Sequence, residues 1–273
     1  MRLIEKMQKS ENFTPTEMKI SEFFLENKNA LSEMTVYKLA KATYSSNAAI
    51  IRFCRKLGYK GFRDFRVDFE KELELNKFIE SSSIDYTHPF QQKDSTEVIV
   101  KQLYTLYKKS LDQVQSCLEG HELEKIAYTM IRAKRIFLYG YGDVKLALMG
   151  FANLLAKINI FPVIATENTE ERQISKYASS QDCALFVTYS LQNERFKQCA
   201  QILRERKAPI MLITANRDNL ITKYSMARIF VPDMERPDRI ATFYSKYVFE
   251  YILNLIYALI YQYQAENEPK VQK

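Results

Sequence analysis

Apolar residues recur at helical spacing through the first third of the chain and give way to short continuous runs after residue 121. Thr14-Pro15-Thr16-Glu17 offers an N-cap, a proline at N1 and a glutamate at N3, so a helix begins there, with Ile20, Phe23 and Phe24 on its buried face. Val36, Leu39 and Ala40 predict a short helix, and Thr43-Tyr44-Ser45 breaks it. Ser46 can cap a second helix, because its hydroxyl can satisfy an orphan N–H of the first turn. Ile50, Phe53 and Leu57 recur at spacings of 3 and 4 and face a core, which leaves Asn47, Ala48, Arg52, Arg55 and Lys56 mostly outside. Gly58 ends that helix as a C-terminal cap does. A further helix over 61–79 carries Phe62, Phe65, Phe69 and Leu73 on one stripe. The sum is an all-helical domain over residues 1–77.

Residues 78–93 are polar and proline-bearing and read as a linker. Asp94 and Glu97 form a second capping box, opening a connector helix over 94–120 with Val98, Leu103, Leu106, Leu111 and Val114 as its apolar positions; a connector and a dimer contact both fit it. From His121 the pattern alternates. Runs at 135–139, 161–164, 184–188, 210–214 and 228–231 read as strands, and the first four are each followed by a helical segment. That alternation predicts an α/β domain over 121–266, with a parallel sheet and helices on both faces, before a polar tail at 267–273. Ligands of such sheets sit beyond the carboxyl ends of the strands, at a switch point. The last helix, 242–263, is apolar nearly all round and must be covered, by the core and by a subunit contact.

Charge sharpens the first domain. Residues 38–66 hold Lys38, Lys41, Arg52, Arg55, Lys56, Lys60, Arg63 and Arg66 against Asp64, a balance of +7 that equals the net charge of the whole chain. A basic face on an ordinary helical hairpin would explain charge alone. Helix, short polar turn and capped second helix together point to a helix-turn-helix, whose second helix presents its N-terminal residues to base edges in the major groove. The residues expected at DNA are Lys38, Ser46, Asn47, Ala48, Ala49, Arg52, Arg55, Lys56, Lys60 and Arg63.

TPTEMKISEFFLEN and TVYKLAKATYSSNAAIIRFCRKLGYKGFRDFR resemble the N-terminal domain of RpiR/MurR-type bacterial transcriptional regulators, with RFCRKLGYKGF the most specific part; the likeness covers 1–77. It departs at Tyr44, where the family usually has glycine. Glycine accepts φ > 0 at little cost and tyrosine does not, so a lengthened or strained turn is expected.

The remaining composition narrows the class. Cys54, Cys117, Cys183 and Cys199 lie far apart in apolar contexts and read as buried free thiols. His88 and His121 lack metal-ligand neighbours at useful spacing, and no Walker, GxSxG or HExxH motif occurs, so neither a metal nor a cofactor is expected. The run 247–261 is broken by Glu250 and Asn254, too polar for a membrane span, and the charged first residues lack an apolar signal region; a cytoplasmic protein is expected.

The strand ends of the second domain carry its chemistry. Gly140-Tyr141-Gly142-Asp143-Val144 follows one strand, where glycines admit a ligand to the backbone and the next helix N-terminus favours an anion. Alone, GxG is a weak signal. Thr188-Tyr189-Ser190-Leu191-Gln192-Asn193 follows another. Its hydroxyls and amides suit a phosphate, although Ser190 or Asn193 also fits simple capping of the next helix. Together, in this order, they resemble a SIS (sugar isomerase) domain, a likeness covering 121–264 that includes LITANRDNLITKYSMARIFVP. It implies ligand contacts from Gly140, Tyr141, Gly142, Asp143, Val144, Thr188, Tyr189, Ser190, Gln192 and Asn193. The chain departs from the family pattern where Asp143 and Val144 replace a serine, Leu191 a glycine and Asn193 a threonine; Asp143 repels phosphate unless a base such as Lys145, Arg195 or Arg239 offsets it.

The expected protein is a DNA-binding regulator whose SIS domain senses a phosphorylated sugar or amino sugar. It binds a double-stranded operator as a homodimer or dimer of dimers, with no enzymatic activity. A regulator whose degenerate SIS domain only dimerises is the first alternative. A phosphosugar isomerase with Glu167 or Glu170 as base is the second, and it leaves the DNA module without a role.

Overall fold

Phe24 organises the first unit, residues 1–83. The computed structural model describes residues 3–8, 12–27, 34–81, 84–166, 170–190, 194–217 and 220–267. Within the first unit these form α1 (Leu3–Gln8), α2 (Pro15–Glu26), α3 (Val36–Ala42), α4 (Asn47–Lys56) and α5 (Phe62–Ser81). The fully buried Phe24 ring of α2 contacts Phe53, Phe65 and Phe69 at centroid distances of 6.2, 4.8 and 5.8 Å. The Thr14 capping box is complete: Thr14 Oγ1 accepts from the Glu17 N–H and Glu17 Oε2 accepts from the Thr14 N–H. Helix α1 is an addition to the elements read from the sequence. Leu3, Ile4 and Met7 are buried at helical spacing, and the Ser21 hydroxyl donates to the Met7 carbonyl at 3.0 Å.

The second unit, residues 84–273, comprises α6 (Thr96–Cys117), α7 (Gly120–Arg132), β1 (Ile136–Tyr139), α8 (Asp143–Ala156), β2 (Val163–Ile164), α9 (Glu171–Lys176), β3 (Cys183–Thr188), α10 (Glu194–Glu205), β4 (Ile210–Thr214), α11 (Leu220–Tyr224), β5 (Ala227–Phe230) and α12 (Phe243–Asn267). The strands are parallel in the order β2-β1-β3-β4-β5. Side-chain alternation sends Ile136, Leu138, Leu185 and Ile213 into a core with α6, α7, α8 and α12. Phe137, Tyr139, Phe186 and Leu212 enter a second core with α9, α10 and α11. The α/β class with helices on both faces is therefore the observed one. Among the described residues, no helix is long and apolar enough to cross a membrane.

Three boundaries differ from the sequence reading. Helix α5 runs to Ser81, and the segment from Ile84 already packs in the second unit, with Tyr86 buried against Tyr244. The expected linker 78–93 is thus taken up in part by α5 and in part by the second unit, where Tyr86 enters the core. The cap of α6 is Ser95, whose hydroxyl accepts from the Val98 N–H, while Asp94 accepts from the Gln91 N–H one turn earlier. Helix α6 ends at Cys117, and Leu106 and Val114 bury in the second unit's core, so it is no free connector.

The amino ends of β1 and β3 are locked by charge. Arg135 reaches Asp182 through Nε (3.0 Å) and Nη2 (2.8 Å), and Asp182 also accepts from the Ser179 N–H and hydroxyl. The Asp182 side chain is fully buried, and the Arg135 hydrogen bonds hold its carboxyl below the usual carboxylate range. Arg135→Ala leaves that carboxylate short of partners and should lower stability by about 2 kcal/mol at pH 7. A depressed carboxylate contributes above the unfolded value, near pH 4, and stops contributing as pH falls through its folded value. The wild-type advantage in denaturant titrations should therefore shrink below about pH 4.

Candidate functional site

Two surfaces carry the chemistry. On the first unit, α3, its turn and α4 form the helix-turn-helix. Ser46 Oγ accepts from the Ala49 N–H at 3.1 Å and starts α4. Ser46, Asn47 and Ala48 are exposed at that start, and Ala49 is half-buried. Arg52 and Arg55 on α4, Lys38 on α3, and Lys60 and Arg63 beyond are exposed. Ile50, Phe53 and Cys54 fill the opposite face. Gly58 closes α4 at φ 99°, with its N–H on the Arg55 carbonyl and the Tyr59 N–H on the Cys54 carbonyl. Lys56 differs from the rest. Its ammonium donates to the Glu17 carboxylate at 2.7 Å and to the Asn12 carbonyl at 2.5 Å, tying α4 to α2. Burial raises the Glu17 carboxyl, but the Lys56 and Thr14 hydrogen bonds outweigh it and bring it below its ordinary value.

The turn confirms strain rather than added length. Tyr44 takes φ 51° and is 96% exposed. The Ser45 N–H still reaches the Ala40 carbonyl at 2.8 Å, and the Thr43 hydroxyl donates to the Leu39 carbonyl at 2.9 Å. Those bonds hold a left-handed tyrosine where no packing of its own ring repays the strain.

On the second unit a cleft of about 410 Å³ opens at the carboxyl ends of β1 and β3, the switch point of the strand order. Tyr141, Gly142, Asp143, Val144, Thr188, Tyr189 and Ser190 line it. Gly142 sits at φ 57° and precedes α8, a conformation glycine accepts. Gly140 is buried beneath: an added Cβ would stand 2.7 Å from Leu148 Cδ1. Gln192 and Asn193, like Glu167, lie outside the described residues.

Two of the expected ligand residues are engaged within the protein. Asp143 Oδ2 accepts a hydrogen bond from the Thr242 hydroxyl. The Tyr189 hydroxyl accepts from the N–H groups of Met234 (2.6 Å) and Glu235 (2.7 Å), and burial raises its ionisation above the ordinary range. The same loop is held from β4, where the Asn216 amide donates to the Ser190 carbonyl at 2.9 Å.

The sequence reading missed the cleft's other wall. Arg239, Thr242, Ser245 and Lys246 come from the start of α12 and the segment before it. Arg239, singled out as a base able to offset Asp143, does line the cleft; Arg195 instead stands 3.6 Å from Glu171. Behind this wall, the buried Glu235 accepts from the N–H groups of Tyr244 and Ser245 and from the Ser245 hydroxyl, capping α12. No strand-end argument reaches these residues. The available signal was a basic pair, Arg239 and Lys246, flanking the start of an otherwise apolar helix. His121 lies apart, exposed beside Glu119 and Glu122.

Comparison with known proteins matches both units. Residues 1–76 match the helix-turn-helix domain of the rpiR family, and residues 129–260 match the SIS domain. An HTH-type transcriptional regulator of Caldanaerobacter subterraneus subsp. tengcongensis is 25% identical over 254 residues, 93% of this chain and 88% of the relative. One from Haemophilus influenzae is 26% identical over 256 residues, 92% of this chain and 87% of the relative. Among solved structures, the Vibrio vulnificus NanR protein complexed with ManNAc-6P aligns at a TM-score of 0.55 and 19% identity, covering 97% of this chain and 93% of that one. The sugar isomerase domain of an RpiR transcription factor from Sphaerobacter thermophilus aligns at 0.53 and 16%, covering 60% and 90%.

Tyr44→Gly should leave thermal stability unchanged or raise it by up to about 1 kcal/mol. The left-handed penalty of roughly 1–2 kcal/mol is relieved, and glycine's extra unfolded freedom offsets part of the gain. Tyr44→Ala retains the strain and should give no gain. A clear drop in melting temperature for Tyr44→Gly would show that the exposed ring is held by contacts worth more than the strain.

Proposed function

Since the chain belongs to the rpiR-type helix-turn-helix transcriptional regulators that carry a SIS domain, we propose that it binds operator DNA through α4 and senses a phosphorylated sugar or amino sugar in the cleft at β1 and β3. It acts in the cytoplasm as a homodimer or dimer of dimers, because one helix-turn-helix makes few base contacts and two related by a two-fold axis read a palindrome. One observation carries the reading: two glycine- and hydroxyl-bearing strand ends, the α8 N-terminus and two cations converge on one cleft at the switch point. The ManNAc-6P held by the Vibrio NanR fold supports the ligand class.

On the DNA side, Ser46, Asn47, Ala48 and Ala49 approach base edges or phosphate, Arg52 reaches guanine or backbone, and Lys38, Arg55, Lys60 and Arg63 neutralise phosphates. Lys56 serves chiefly as a strut, given its bond to Glu17. On the effector side, Thr188 and Ser190 donate to phosphate, Arg239 and Lys246 supply charge, and Gly142 admits the sugar to the backbone. Gln192 and Asn193 are assigned to the same loop by their place in the sequence. Asp143, already bonded to Thr242, supports a second reading in which the cleft has lost its ligand and the SIS domain only dimerises.

A route for the signal runs through Tyr189. Its hydroxyl holds the backbone of Met234 and Glu235; next along, the Arg236 N–H donates to Thr87 Oγ1 at 3.2 Å and the Ile240 N–H to the Thr87 carbonyl at 3.2 Å. Thr87 lies a few residues beyond the helix that ends the DNA-binding unit. An effector acts only through different affinities for two states, and this segment is the element proposed to differ between them.

In gel-shift titrations, Arg52→Ala/Arg55→Ala should weaken operator binding at least about tenfold and flatten its salt dependence by roughly one unit per lost phosphate contact. Operator binding as tight as wild type would refute the DNA assignment. In calorimetry with sugar phosphates, Ser190→Ala or Lys246→Ala should weaken binding about tenfold, the value of a hydrogen bond to a charged group. No heat with wild type at millimolar concentration would favour the ligand-free reading. Tyr189→Phe should retain effector and operator binding while losing most of the effector's influence on operator affinity.

A further inference from the structure

A buried carboxylate near the cleft has an oxygen that nothing among the described residues satisfies. Glu171, the first residue of α9, is 1% exposed. Its Oε1 lies 3.6 Å from the Arg195 guanidinium, whereas Oε2 is buried without a hydrogen-bond partner. The Tyr141 hydroxyl is buried as well and lies within reach of Glu171 and Arg195, but among the described residues no hydrogen bond to it is closed. The Tyr141 ring lines the cleft, stacked on Phe196, which lines it as well, at 4.9 Å between centroids. Two buried polar atoms without a closed hydrogen bond therefore lie behind the Tyr141 wall of the cleft, one of them on a residue that does not itself line it.

Buried polar atoms are nearly always paired, and an unpaired one calls for a ligand group or a water. The chemistry of the gap is specific. Arg195 already counters the charge of Glu171, so the missing element is a hydrogen-bond donor rather than a second cation. The adjoining phenol can donate or accept. A carboxylate oxygen next to a phenol suits a sugar hydroxyl flanked by another ring oxygen, and it offers nothing to a phosphate. We propose that Glu171 and Tyr141 form the hydroxyl-reading end of this cleft: Glu171 Oε2 accepts from a sugar hydroxyl, and the Tyr141 hydroxyl bonds a neighbouring oxygen of the same sugar. This rests on the sugar-phosphate reading of the cleft. It moves selectivity for the sugar away from Asp143 at the end of β1, which Thr242 occupies, to a residue on the helix that follows β2.

The test is calorimetry on the full chain with inorganic phosphate and with hexose, 2-amino-hexose and 2-acetamido-hexose 6-phosphates, using wild type, Glu171→Gln and Tyr141→Phe, each checked by its melting temperature. Wild type should bind at least one sugar phosphate more tightly than inorganic phosphate. Glu171→Gln should weaken that sugar phosphate about tenfold, and Tyr141→Phe several-fold, with inorganic phosphate unchanged in both. Should Glu171→Gln fail to fold, Tyr141→Phe carries the comparison, since it removes one oxygen and keeps the stacked ring. Unchanged sugar-phosphate affinity in the variants would overturn the proposal and leave a water in the gap. Equal losses for both ligand classes would overturn it too, as a general distortion of the cleft. If wild type binds none of the compounds, the effector reading itself falls and this inference with it.

Discussion

One oxygen ties two loops of the second unit together. The Tyr189 hydroxyl accepts two backbone N–H groups from consecutive residues, Met234 and Glu235, and so fixes the segment after β5 against the loop after β3. A phenol suits the task because it reaches across a strand spacing and offers two lone pairs from an otherwise apolar body. Two neighbouring N–H groups, which would be orphaned in a buried loop, are satisfied together. Glu235 is then placed to cap α12, and Arg236 to meet Thr87 and Asp85. One short segment therefore touches the loop after β3, the start of α12 and the first residues of the unit.

The sheet is built unequally at its two ends. At the amino ends of β1 and β3, Arg135, Asp182 and Ser179 are bonded to one another and the Lys134 N–H donates to the Gln181 carbonyl. The outer edge of β5 is met by Glu122, which accepts from the Arg228 N–H at 2.6 Å. At the carboxyl ends the requirements stay open: the Tyr141 hydroxyl and Glu171 Oε2 lack partners, and Gly142 keeps a positive φ. Rigid closure at one end and unmet polar capacity at the other is what a scaffold needs to present a binding cleft without bending under it.

Much of this was legible in the sequence, and the exceptions share a cause. The strands, the Ser46 cap, the Thr14 box and the Phe62-Phe65-Phe69-Leu73 stripe are local signals found close to where their residues put them, except that the strand expected over 161–164 shrinks to Val163–Ile164 and leaves Phe161 exposed. Helix α1 also had a local signal, Leu3, Ile4 and Met7, but its six residues are too short to stand out from a charged segment. Asp94 lost its cap to Ser95 by one residue, a choice that turn geometry makes and composition does not. Thr242, Glu171 and the Lys56–Glu17 pair were invisible for another reason. Their partners lie tens of residues away or more, and only the closed fold brings them together.

Asp143 shows how a residue that contradicts the phosphate reading is accommodated. Its carboxylate lines the cleft with Arg239 and Lys246, so the described charged residues there sum to one net positive, to which the α8 N-terminus adds roughly half a charge. Arg239 is itself 3.6 Å from Glu235, which draws part of its charge away. A phosphate dianion placed there is attracted but not fully neutralised, and the Thr242 hydroxyl occupies the Asp143 oxygen that would otherwise repel it most directly. On the proposed reading, charge alone then gives a modest and salt-dependent hold. The sugar's hydroxyls must supply the remaining affinity, which makes the unmet polar atoms of Tyr141 and Glu171 the place where one sugar phosphate is told from another.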